Sequence, residues 1–321
     1  MVISIVPARL AAESVIPSRL MGSMRQKMAL FLLDASKRTA AVDKDFFSIL
    51  SELRKGLATE FGGKEINIQI TEGGVVNGFH FKGTQNTAII YLHGNGDFYE
   101  TSIIKPLSWI ESLKETDSTF PHLLVFNPRG TGKSSGYAHP ENVAMDMLAA
   151  FEYLVDQQRI DPSRIIIAGH SMGGFFGAFG AELIQTQFPD SRIHFLSDRS
   201  FSNIGSLAAL KRGAAGSVRL VDFILSKAIK WMGWDRDPVA ALEALKGRVC
   251  VIYHPQDPLI VPAISLHTAL LQSKRAGYCH LSLQDEREGI SSSAHNRAFT
   301  DSEQDQVFAE IKKMLTPSVL V

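Results

Sequence analysis

The residue pattern in this chain best suited to chemistry is a serine set between glycines. Gly169-His170-Ser171-Met172-Gly173-Gly174 follows the apolar run Ile165-Ile166-Ile167-Ala168, and a segment of small and apolar residues, 175–184, comes next. The run reads as a fully buried strand and the later segment as a helix. Strand, sharp turn and helix are the context in which a serine stands as a nucleophile, with the free N–H groups and positive dipole end of the helix aimed at it. The glycines are steric necessities, because a strained turn needs neighbours without side chains.

A hydroxyl is a poor nucleophile near neutral pH. Ser171 therefore needs a base, and the base needs an acid that fixes its tautomer and stabilises the imidazolium. In a parallel sheet such groups sit on loops after the C-terminal ends of strands. Asp257 lies on such a loop after the run 249–253, and His295 follows the last strand and precedes the last helix. Asp198, at the end of another short strand, is the alternative acid; its other reading is a loop carboxylate that pairs Arg199. His280 reads as a core residue of the last strand, His254 as a support of the Asp257 loop, and His267 as helical. The charge that develops on a carbonyl oxygen also calls for preorganised N–H donors. Met172, directly after the nucleophile, supplies one. The loop His93-Gly94-Asn95-Gly96-Asp97 supplies the other, at Asn95 or Gly96, with Gly94 and Gly96 allowing close approach.

The elements that must position these residues follow from periodicity. Residues 66–71 and 75–81 alternate as a hairpin around Gly73-Gly74, and buried runs recur at 87–92, 122–126, 192–196, 247–253 and 279–284. Between them, 103–113, 142–158 and 261–273 read as helices, and a capping box at Thr300 and Glu303 opens a closing helix. Strands alternating with helices in this way define an α/β fold, a mostly parallel sheet covered on both faces.

With these residues in order, 66–315 resembles the serine hydrolases of the α/β-hydrolase superfamily, of lipase and esterase type. The resemblance is carried by His93-Gly94-Asn95, by Asn127-x-Arg129-Gly130-x-Gly132-x-Ser134, by the Gly169–Gly174 motif, by Asp257 with Val261-Pro262 behind it, and by His295. Nucleophile, acid and base follow one another along the chain in the superfamily's order. The resemblance implies hydrolysis of carboxylic esters through an acyl-enzyme, with no metal or organic cofactor. Thioester or amide cleavage on the same triad (a depalmitoylase or peptidase), or a catalytically inactive binding protein, are the alternatives the fold leaves open. A finer likeness joins Asn127-Pro128-Arg129-Gly130 and Asp198-Arg199-Ser200-Phe201: the pair is similar to hydrolases of intracellular bacterial pathogens, some of them secreted effectors of lipase type.

Gly130-Thr131-Gly132-Lys133-Ser134 imitates the end of a phosphate-binding loop. The full pattern needs glycine at position 127, which is Asn, and a helix starting at the lysine, where Ser135-Gly136-Tyr137-Ala138-His139-Pro140 intervenes.

Composition bounds the rest. The 321 residues carry 33 basic and 33 acidic side chains, a balance that argues against nucleic acid as a partner. The two cysteines, Cys250 and Cys279, lie in apolar runs and read as buried, reduced thiols. Residues 1–10 lack the charged and long apolar parts of a signal peptide, so the chain is expected to be cytoplasmic as synthesised, with any export into a host cell by a signal-independent route. Residues 1–62 read as a basic, helical N-terminal extension broken by Pro7 and Pro17, and 63–321 as the catalytic domain. A helical cap is expected at about 204–246. Lys211, Arg212, Arg219, Lys227 and Lys230 face a single acid, Asp222, and an apolar face includes Val218, Phe223, Ile224 and Trp231. Such a cap suits a lipid ester or peripheral contact with a membrane, a role the N-terminal helices share as an alternative to packing on the main domain.

Overall fold

The run that precedes Ser171 forms β5 (Ile165–His170), fully buried near the middle of one eight-stranded sheet. A computed structural model of the chain describes residues 18–41, 44–70, 73–114, 119–213, 219–273, 277–284 and 294–316. The other strands are β1 (Lys64–Gln69), β2 (Val75–Phe81), β3 (Ala88–Leu92), β4 (His122–Phe126), β6 (His194–Asp198), β7 (Val249–Tyr253) and β8 (Cys279–Ser282). Their order across the sheet is β1-β2-β4-β3-β5-β6-β7-β8. β1 and β2 form the expected hairpin, β2 meets β4 antiparallel, and every other pairing is parallel.

The chain reverses its direction of travel across the sheet at β3, which pairs β4 on one side and β5 on the other. Ligands of open α/β sheets bind at such a switch point, beyond the carboxyl ends of the strands. The loops after β3 and β5, carrying Asn95 and Ser171, meet there.

Period-two alternation explains why apolar runs without polar residues form these strands. Ile165 and Ile167 enter one core with Ala88, Ile90 and Leu92, while Ile166 and Ala168 enter the other with Ile89 and Tyr91. The first core is closed by α6 (Pro140–Glu152) and α7 (Met172–Gln187), and the second by α5 (Ile104–Ser112) and α12 (Asp301–Leu315). Thr300 and Glu303 form the capping box read from the sequence, with Glu303 N donating to Thr300 Oγ1 at 3.3 Å and Thr300 N to Glu303 Oε2 at 2.8 Å.

Three helices differ from their expected extents; the segment read as 261–273 is a 3-10 turn, Pro262–Ile264, and a short helix, Leu266–Leu271. The segment read as 103–113 is α4 (Tyr99–Ser102) followed by α5, and the one read as 142–158 is α6 ending in a π-helical turn, Tyr153–Gln157. The cap holds α8 (Ile204–Gly213), α9 (Arg219–Trp231) and α10 (Pro238–Glu243). α11 (Leu266–Leu271) follows β7.

The N-terminal extension packs on the main domain, as one of its two readings requires. It forms α1 (Ser18–Leu32), α2 (Asp34–Ala40) and α3 (Lys44–Phe61). Met28, Ala29 and Leu33 join the first core and Leu57 the second. The buried Arg54 of α3 pairs with the buried Glu100. No helix among the described residues is long and apolar enough to cross a membrane. Pro7, Pro17, Val218 and the serines Ser291, Ser292 and Ser293 lie outside the described residues, as do the side chains of Lys211, Arg212, Arg219 and Asp222.

Candidate active site

Ser171 occupies the turn between β5 and α7 with φ 51° and ψ −116°, a backbone conformation that costs energy for any residue with a side chain. The glycines around it are dictated by contact. A Cβ at Gly169 would overlap the Gly173 carbonyl, and one at Gly173 would overlap the Leu92 carbonyl and lie 2.6 Å from the His93 oxygen. Strand and helix therefore pass within backbone distance of each other, which holds the strained residue in place. The Ser171 N–H donates to the Asp198 carbonyl at 2.8 Å, and the Ser200 hydroxyl donates to the Ser171 carbonyl at 2.8 Å.

The structure brings Ser171, His295 and Asp257 together in the order read from the sequence. Ser171 Oγ stands 3.0 Å from His295 Nε2, and His295 Nδ1 stands 2.7 Å from Asp257 Oδ2. The other oxygen of Asp257 accepts from the N–H groups of Leu259 and Ile260, each at 2.8 Å. Burial works to raise the Asp257 carboxyl, but its bond to His295 and these two backbone donors leave it below the ordinary value. An ionised Asp257 would hold the His295 proton on Nδ1 and leave Nε2 able to accept from Ser171 Oγ. His254 supports this loop: its Nδ1 accepts from Gln256 N at 3.1 Å.

The alternative acid is not brought to the base. Asp198 is fully buried, and its carboxylate is taken up by cations: Oδ1 is bound by Arg199 Nε at 2.8 Å, and Oδ2 by Lys105 Nζ at 2.6 Å and Arg199 Nη2 at 3.1 Å. Burial alone would raise its carboxyl; Arg199 and Lys105 reverse this and hold it far below the carboxylate range. Asp198 is thus the partner of Arg199, the other of its two readings. His280 is corrected as well, for it is exposed on β8 rather than in the core, since β8 is the edge of the sheet. Cys250 is buried as read, and its register partner Cys279 is half-buried.

Met172 begins α7, and Asn95 lies on the loop after β3; both line the cavity above Ser171. Neither backbone N–H has an acceptor among the described residues, which leaves both available as donors. The Asn95 side chain has a use the sequence did not reveal. Its Oδ1 accepts from Asp34 N at 2.8 Å and its Nδ2 donates to Leu32 O at 3.2 Å, so it grips the junction of α1 and α2. Thr39 Oγ1 adds a third tie by accepting from Gly132 N at 2.9 Å.

The cavity measures about 80 Å³, and its walls include Asp34, Asp97, His170, Leu207, Leu259 and Asn296. Burial raises the Asp97 carboxyl above its ordinary value, against the opposing pull of His93, Lys105, Arg38 and His295. The N-terminal extension thus contributes part of the pocket wall, through residues far from the motifs in sequence and without a motif of their own. A second cavity of about 160 Å³ lies between α1–α2 and the loop at Gly130–Tyr137, away from Ser171.

The Asn127–Ser134 motif is structural. Asn127 Oδ1 accepts from Tyr99 N at 2.9 Å, Arg129 pairs with the buried Asp146, and Ser134 Oγ donates to Asn127 O at 2.6 Å. Lys133 pairs with Glu65 at 2.6 Å and no helix begins before Pro140, as the rejection of a phosphate loop requires. No group of His, Cys, Asp and Glu among the described residues is arranged to hold a metal ion.

A mostly parallel sheet with a strained serine after its central strand defines the class: the chain has the α/β-hydrolase fold. The profile of the alpha/beta hydrolase fold family matches residues 87–193. Among curated proteins, the chain is 26% identical over 164 residues to the alpha/beta hydrolase domain-containing protein WAV2 of Arabidopsis thaliana, a match that covers 48% of this chain and 49% of that protein. It is 32% identical over 113 residues to the multifunctional-autoprocessing repeats-in-toxin of Vibrio cholerae, covering 32% of this chain and 2% of the toxin. The chain thus spans half or less of these relatives. Among solved structures, an alpha-beta hydrolase from Vibrio vulnificus aligns with TM-score 0.62 at 21% identity over 94% of this chain and 95% of that one. An esterase of Pyrococcus furiosus aligns with TM-score 0.59 at 14% identity over 80% and 92%. At these identities the structural likeness speaks to the fold.

Proposed function

We propose that the protein is a serine hydrolase of carboxylic esters that works through an acyl-enzyme. The observation that carries this reading is the hydrogen-bonded series from Ser171 to His295 to Asp257, at 3.0 and 2.7 Å, beneath a cavity lined by Met172 and Asn95. Ser171 Oγ attacks the carbonyl carbon as His295 Nε2 takes its proton, and Asp257 stabilises the imidazolium. The Met172 and Asn95 N–H groups stabilise the oxyanion, each donor contributing on the order of 3 kcal/mol to lowering the barrier. Collapse expels the alcohol, which receives the proton from His295. Water activated by the same base then releases the acid.

The cavity above Ser171 measures about 80 Å³, well below the roughly 300–1,000 Å³ of pockets for larger ligands, which supports short acyl groups. Initial rates on p-nitrophenyl esters of rising chain length test this. Acetate and butyrate esters are expected to exceed octanoate, and Ser171→Ala to abolish turnover with the fold intact. Turnover retained by Ser171→Ala would end the reading.

One observation favours peripheral contact of α9 with a lipid surface. On α9, Phe223, Ile224 and Trp231 are 61%, 58% and 52% exposed, and they share one helical face with the exposed Lys227 and Lys230. Apolar rings beside cations suit the surface of a bilayer with anionic headgroups. Co-sedimentation with phosphatidylglycerol vesicles is expected, and is expected to fall in Phe223→Ser/Trp231→Ser; vesicles that leave the wild type in solution would remove the lipid reading while leaving the esterase one.

A further inference from the structure

His295 stands well beyond Ser282, the last residue of β8, so no strand ladder holds it at Ser171. Its turn is held instead by side chains from the strands beside the nucleophile. Arg199 Nη1 donates to the carbonyls of Ala294 at 2.8 Å and Arg297 at 3.0 Å, on either side of His295. His170 Nε2 donates to the carbonyl of His295 itself at 3.1 Å. The remaining face of the guanidinium is occupied by Asp198, through Nε at 2.8 Å and Nη2 at 3.1 Å.

The same short segment also grips the nucleophile. The Asp198 carbonyl accepts from the Ser171 N–H, and Ser200 donates to the Ser171 carbonyl. Arg199, between them, is 1% exposed and adopts φ 49°, a left-handed conformation that a residue with a side chain enters at a cost. Its own N–H is fixed by Ile252 O at 2.8 Å. A buried guanidinium is tolerable only when paired and fully bonded, and Asp198 meets that need. Phe299 closes the group from one side, with its ring 5.4 Å from the Arg199 guanidinium and 5.0 Å from the Lys105 ammonium.

Resting on the serine-hydrolase reading, we propose that Arg199 is a positioning residue which fixes the distance between His295 and Ser171. Asp198 and Ser200 hold the serine backbone while Arg199 holds the two carbonyls that flank the base, so one three-residue segment sets both partners of the proton transfer. A lysine at this position keeps the charge beside Asp198 but has one nitrogen, without the planar fork needed to serve Asp198 and two carbonyls at once.

Arg199→Lys and Arg199→Met test the proposal, with circular dichroism recorded on both. On p-nitrophenyl acetate, a displaced base is expected to lower kcat by roughly 100-fold while KM stays within about twofold. Millimolar guanidinium is expected to restore part of the loss in Arg199→Met. The low-field NMR proton of the bond between His295 Nδ1 and Asp257 is expected in the wild type and to weaken in both variants. Folded Arg199→Lys with wild-type kcat and an unchanged low-field proton would overturn the proposal. If Arg199→Met does not fold, Arg199→Lys decides alone. A wild type without esterase activity would end the functional reading instead, and the low-field proton would still report whether Arg199 positions His295.

Discussion

The Asn95 side chain accepts a hydrogen bond from the Asp34 N–H at 2.8 Å, and so ties the N-terminal extension to the loop that faces Ser171. The residue has two separate surroundings: its loop lines the cavity above Ser171, and its amide docks the α1–α2 junction. Asn95→Ala removes the docking and keeps the N–H. Two hydrogen bonds at about 1 kcal/mol each predict a modest fall in melting temperature. The pocket wall at Asp34 loosens, so KM for acetate esters is expected to rise and the rate on longer esters to improve relative to acetate. Unchanged chain-length preference would show that the wall does not depend on this contact.

Asp257 and Asp198 are expected to fail in opposite ways. Asp257→Asn keeps the shape but loses the charge that fixes the His295 tautomer, and the precedent of serine proteases sets the loss in kcat at about 10⁴ with little change in stability. Asp198→Asn leaves the buried Arg199 and the half-buried Lys105 without their counter-ion, for a loss of about 3–5 kcal/mol. Urea unfolding beside steady-state kinetics separates the two. Asp198→Asn that is stable and inactive, beside active Asp257→Asn, would exchange their roles.

Gly173→Ala drives a methyl into the Leu92 carbonyl, which is backbone and cannot swing away. A strongly destabilised or insoluble protein is expected, read by thermal denaturation of the soluble fraction. Wild-type stability would mean that β3 and α7 do not approach each other this closely.

The pH dependence of stability follows from four buried histidines. Burial holds His80, His122, His139 and His194 down at about 4, against an ordinary value of 6.5. Between these values the unfolded chain binds more protons than the folded one, so stability is present above pH ~6.5 and is lost as pH falls toward ~4. Asp198, held low, acts in the same direction at more acidic pH. Melting temperatures measured from pH 7.5 down to 4.5 should therefore drop steadily; a flat profile would mean that these imidazoles are protonated in the fold.

Local pattern made the sheet and the three candidate catalytic residues legible. Apolar runs such as 165–168 have no other home than a covered parallel sheet, and strand ends bearing Ser171, Asp257 and His295 converge wherever such a sheet forms. Contacts between distant segments were not legible. Asn95 reads as a donor by its backbone, but nothing near it in the chain announces that its amide meets Asp34, 61 residues away. Asp198 presented the same difficulty. Its position at the end of β6 is that of a catalytic acid, and only the placement of Lys105, 93 residues earlier, together with the orientation of Arg199 decides against it. His280 misled because a strand at the sheet edge has the same apolar spelling as one inside.

Everything proposed for this site requires Ser171 to be a nucleophile. Peptide mapping of protein treated with a fluorophosphonate measures this most directly. A single adduct on the peptide that contains Ser171, absent in Ser171→Ala and strongly slowed in His295→Ala, is the expected result. A wild type left unmodified, or an adduct on another serine, would contradict it.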